Sequence, residues 1–110
     1  MISGHRGRVT ARRHRHYRRA LDLLAGPESA WLPPEGRKLL VELAEDMLLS
    51  RESDPQAVLH LRRDAELAVG ELSVVGVLPK PTAEELTQLL TGAGPSLLAE
   101  APRLRPPRAA

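Results

Sequence analysis

SRESDPQAVLHLRRDAELAVGELSVVGVLPKP, residues 50–81, contains the longest periodic segment of the chain. Within it Val58, Leu61, Ala65, Ala68, Leu72 and Val75 recur at alternating steps of three and four. Residues three and four apart share one face of an α-helix, so this spacing predicts a helix with an apolar stripe. Asp54 or Ser53 caps its start, Pro55 falls in the first turn, and Ser53 with Gln56 has the capping-box spacing. Gly70 and Gly76 weaken the last turns, and the β-branched run ahead of Pro79 frays or bends them. About two and a half heptads are too few for a coiled coil but enough for a packed face.

The flanking segments read the same way. A helix over 34–51 places Leu39, Leu40, Leu43, Ala44 and Met47 on one face, with Val41 and Leu48 in a second strip. So wide an apolar surface suggests the central helix of the fold or one shared with a partner. Before it, the Pro-rich connection GPESAWLPPEG (26–36) has Trp31 and Leu32 as its sizeable apolar groups, expected to plug one end of the core. Thr82 and Glu85 form a second capping box, opening a short helix through Leu86, Leu89 and Leu90 that stops at Gly92. Residues 10–25 form the first helix, with Thr10 as N-cap, Gly26 just past the end and Pro27 blocking continuation.

Composition agrees with a helical protein. Leu dominates the apolar inventory, and the chain holds no Phe, one Trp and one Tyr, a poor supply for β-sheets. The fold class expected is all-α, a small bundle of three to four helices. It forms one domain over 10–100, with a disordered basic arm over 1–9 and a disordered Pro/Arg-rich tail over 101–110.

The net charge of +2 conceals a strong segregation. Residues 1–20 hold seven arginines, three histidines and no acid, whereas residues 21–100 hold six basic and fourteen acidic residues. The last ten residues add Arg103, Arg105 and Arg108. An acid-free basic segment on an acidic body suggests an interaction arm. Arginine donates paired hydrogen bonds to phosphate and stays charged at physiological pH. Arg6, Arg8, Arg12, Arg13, Arg15, Arg18 and Arg19, with His16 and Tyr17 able to stack on bases, are therefore the expected nucleic-acid-binding residues. On the first helix Tyr17, Leu21 and Leu24 fall on one edge, and Arg12, Arg15, His16 and Arg19 on the opposite one.

Other chemistries find little footing. The absence of cysteine removes disulfides and thiolate metal sites. His14 and His16 lie about 200° apart on a helix and cannot share a metal; no metal or cofactor is expected. The carboxylates sit at helix-surface positions without a recognisable nucleophile, and GAG (92–94) is neither a P-loop nor a dinucleotide fingerprint. The third helix carries Asp64, Glu66 and Glu71 where a helix-turn-helix reader would present basic and amide groups. The function expected is a non-catalytic nucleic-acid-binding or nucleoprotein-assembly accessory role, in the cytoplasm and without membrane contact. The alternative is a helical protein-interaction or homo-oligomerisation module, with Leu40, Val41, Leu48, Val58, Leu61, Leu72 and Val75 as its interface.

Overall fold

A computed structural model of the chain describes residues 10–96. The arm expected over 1–9 and the tail expected over 101–110 lie outside the described residues, as do 97–100. Among the described residues there are four α-helices: α1 (Ala11–Ala25), α2 (Pro34–Leu49), α3 (Pro55–Val74) and α4 (Lys80–Ala93), with a 3-10 turn at Pro27–Ser29 after α1. The all-α bundle read from composition and periodicity is what forms. Among the described residues there is no strand, and no helix is long and apolar enough to cross a membrane.

Local chemistry accounts for most boundaries. The Thr10 side chain accepts a hydrogen bond from the Arg13 amide at 3.1 Å, and the Asp54 side chain accepts one from Ala57 N at 3.3 Å. Asp54 is thus the cap of α3, and Ser53 stands one residue too early for its capping box with Gln56. In α4 the helix starts two residues before Thr82, with Pro79 as N-cap and Pro81 in the first turn, where a missing N–H costs nothing. Thr82 is buried inside the helix and caps nothing. The helix runs through Gly92 to Ala93.

The core is built from Leu24 of α1, Leu40, Leu43 and Ala44 of α2, Ala65 and Val69 of α3, and Leu86, Leu89 and Leu90 of α4. The helix α4 packs against each of the other three and buries Thr82, Ala83, Leu86, Leu89, Leu90 and Ala93, so it shares with α2 the central place expected of α2 alone. Leu32 does plug the core, but Trp31 beside it is 79% exposed. The Pro-rich connection fixes which of two adjacent apolar side chains points inward, and the other turns to solvent.

Arginine side chains do much of the work at the helix ends. None of the four helices carries a basic residue in its last turn. At the ends of α1, α2 and α4, distant arginines supply the missing positive charge to the C-terminal carbonyls. Arg37 donates to the carbonyls of Leu24 and Ser29 at the end of α1 and the 3-10 turn. Arg62 donates to Pro95 O just beyond α4 at 3.3 Å. Arg13 serves two helices at once, as described next.

Candidate nucleic-acid interface

The orientation of α1 decides which of its cations can meet another molecule. Ala20 and Leu24 are buried in the core together with Arg13, and these three positions, seven and four residues apart, form one face of the helix. Tyr17 and Leu23 pack beside them, partly buried. The docked edge is therefore centred on Arg13, Ala20 and Leu24, rotated from the Tyr17, Leu21 and Leu24 edge expected from the sequence.

Arg13 is only 9% exposed. Its Nε donates to Ala93 O at 3.0 Å, and its terminal nitrogen lies 3.3 Å from Met47 O, 2.9 Å from Leu48 O and 3.0 Å from Ser50 O. One guanidinium thus ties the C-terminal ends of α2 and α4 to the start of α1. Burial holds its pKa below the ordinary arginine value, and the nearby Glu52 carboxylate pushes it back up. Arg13 stands among the arginines expected to bind phosphate, but its guanidinium is engaged inside the bundle and has no free face for a polyanion.

His16 is also drawn inward. A Cβ placed on Gly92 would lie 2.4 Å from the His16 ring, so the imidazole rests directly on the α4 backbone where glycine leaves room. The His16 Nδ1 is 2.8 Å from Arg12 O. Tyr17 is half-buried, and its ring meets that of His14 at a centroid distance of 6.2 Å. Stacking on a base therefore has less free ring surface than the sequence suggested.

What faces outward is a compact set of four cations. Arg12, Arg15, Arg18 and Arg19 are all exposed, and at about 100° per residue they fall on one arc opposite the docked edge. Arg19 forms an ion pair with Glu85 of α4 at 3.4 Å, with both side chains largely solvated. Among the described residues this is the one ion pair, so Arg12, Arg15 and Arg18 carry charge that no acidic side chain of the bundle neutralises by contact. Asp22 is exposed on the same arc and sets the C-terminal limit of the cationic surface. Arg6 and Arg8 lie outside the described residues.

The residues expected as a protein interface are distributed differently. Leu40 and Val58 are fully buried in this single chain, and Val41, Leu48, Leu61 and Leu72 are half-buried; only Val75 is open, at 70% exposure. Much of the wide apolar surface of α2 and α3 is consumed by the bundle itself. Besides Val75, the large apolar residues that remain outside among the described residues are Leu59, Leu67 and Val74 on α3, Leu39 and Leu49 on α2, and Trp31. For two of them the sequence carries a signal: Leu67 and Val74 occupy the face of α3 opposite the Val58, Ala65 and Val69 row. Comparison of the chain with protein families, with curated proteins and with solved structures returns no match.

Proposed function

We propose that this protein is a non-catalytic nucleic-acid-binding or nucleoprotein-assembly accessory protein that contacts phosphates through the outward arginines of α1 and the basic residues that precede it. The observation that carries the reading is the exposed arc of Arg12, Arg15, Arg18 and Arg19 on a helix anchored by Arg13, Ala20 and Leu24. A row of guanidinium groups projecting from an anchored helix neutralises successive phosphates without selecting a base sequence, because phosphate contacts position a protein and base contacts specify. The helical body supplies the anchoring. Its acidic surface limits contact to the basic side through like-charge repulsion of the polyanion.

The direct test is the ultraviolet absorbance ratio of the purified protein before and after a high-salt wash. A nucleic-acid contribution that salt removes supports the reading, because released counterions make such binding salt-sensitive. A protein that neither carries nucleic acid nor binds an added duplex or single strand at low salt rules it out. Removing residues 1–19 is a poor substitute for this test, since it also removes Arg13 and with it the tie between α2 and α4. Substitution of the four outward arginines by glutamine leaves that tie in place.

A further inference from the structure

The solvent face of α3 carries a shallow groove of about 450 Å³, lined by Glu66, Leu67, Gly70, Glu71, Val74 and Val75. Leu67 is 58% exposed and Val74 86% exposed, an unusual pair of open aliphatic side chains for one helix face. Gly70 lies between them, and a Cβ placed there would meet no atom within 4 Å, so the floor of the groove is open backbone. Glu66 and Glu71 are five residues apart, about 140° around the helix, and so form opposite acidic walls of this apolar strip.

We infer that the occupant of this groove is the chain's own segment Arg103–Leu104–Arg105, which follows the last described residue. The first argument is where the chain leaves the bundle. Arg62 of α3 donates to Pro95 O, so residues 95 and 96 depart beside α3. Arg62, Glu66, Gly70 and Val74 form one row at four-residue intervals, and the groove begins a single turn beyond the exit point. Arg103 lies seven steps along the chain from Ser96, roughly 23 Å of extended chain at about 3.3 Å per residue. Val74 lies roughly 18 Å along α3 from Arg62 at 1.5 Å per residue. The span fits.

The second argument is complementarity. The segment presents one aliphatic side chain between two cations, and the groove presents an aliphatic strip, Leu67 and Val74, between two carboxylates. Pro102, Pro106 and Pro107 favour an extended polyproline-type backbone, in which three consecutive side chains point in three directions. Leu104 then enters the groove over Gly70, against Leu67 and Val74, while Arg103 and Arg105 reach Glu66 and Glu71. Docking in this way covers the open apolar strip and consumes two cations of the tail. It does not depend on the nucleic-acid reading of α1.

The chain has no cysteine, so a nitroxide on Ala109→Cys labels one place in the otherwise intact protein. In ¹⁵N-labelled protein the amide signals of residues 66–75 are expected to broaden selectively. They should lose at least half of that broadening when Arg103→Glu and Arg105→Glu are introduced, and regain it when Glu66→Lys and Glu71→Lys are added. Absent or uniformly spread broadening overturns the inference, as does broadening that charge reversal leaves unchanged. Mixing nitroxide-bearing unlabelled chains with ¹⁵N chains tests for a second copy; broadening in that mixture means the groove takes another molecule's tail, and the intramolecular assignment fails.

Discussion

Replacing Arg13 with methionine removes a guanidinium while keeping an unbranched side chain in the interior. Four carbonyls lose a donor: Ala93 O, Met47 O, Leu48 O and Ser50 O. Met47 O retains the Ser50 hydroxyl, which donates to it at 2.6 Å. The bonds to Leu48 O and Ser50 O are partly open to solvent, and water replaces the donor there at small cost. Ala93 O is the buried acceptor left without a partner, and that alone costs about 1–3 kcal/mol. Relief of guanidinium desolvation offsets a part, and loss of positive charge at two helix C-termini adds a part. The net expectation is about 2 kcal/mol of destabilisation, or a fall in Tm of roughly 8–16 °C for a domain of this size. Thermal unfolding followed by far-ultraviolet circular dichroism measures it. Arg13→Lys restores less than half, because a single ammonium cannot reach both the Ala93 and Leu48 carbonyls in the geometry of the planar fork. A Tm for Arg13→Met within about 4 °C of the parent, less than 1 kcal/mol produces, would refute the assignment of Arg13 as the tie between α2 and α4.

Gly92→Ala should destabilise the fold by about 1–2 kcal/mol, since its methyl meets the His16 ring at 2.4 Å; His16→Ala in the same chain should recover most of the loss, and an additive double mutant would show that the two do not touch. Thr10→Ala removes the side-chain acceptor for the Arg13 amide and should cost about 1 kcal/mol in denaturant titration, with no change in slope. Trp31→Ser should alter stability by less than about 0.5 kcal/mol, and the fluorescence of Trp31 in the parent should show solvent-like emission that iodide quenches freely; a blue-shifted, protected tryptophan would contradict its exposure.

The parts of the fold governed by nearby residues were legible in the sequence. Thr10, Gly26, Pro34, Asp54 and Pro55 act within a turn of where they stand, and they set the ends of α1 and the starts of α2 and α3 as read. The inward row of α3 was legible too, except that after Ala65 it continues through Val69 and leaves Val75 outside, because a straight helix drifts away from a strict heptad. The roles of Trp31 and Arg13 depend on contacts far along the chain. Trp31 competes with Leu32 for one site, and the path of the connection decides between them. Arg13 answers to carbonyls 34 to 80 residues away, and a count of charges cannot separate a buried arginine from a solvated one. A signal for it did exist: Arg13 shares the helix face of Ala20 and Leu24, and no helix has a basic residue of its own to satisfy its last turn.

The central claim is that Arg12, Arg15, Arg18 and Arg19 form an outward phosphate-binding arc. It is tested most directly by the salt dependence of binding to a short duplex, measured for the parent and for the variant carrying glutamine at all four positions. Each phosphate contact contributes about 0.9 to the slope of log K against log salt, so the variant should bind more weakly and lose up to about 3.6 from the slope. Its helical circular dichroism should be unchanged, because none of the four side chains is buried. Equal slopes for parent and variant, or a parent that binds no nucleic acid at low salt, would contradict the account.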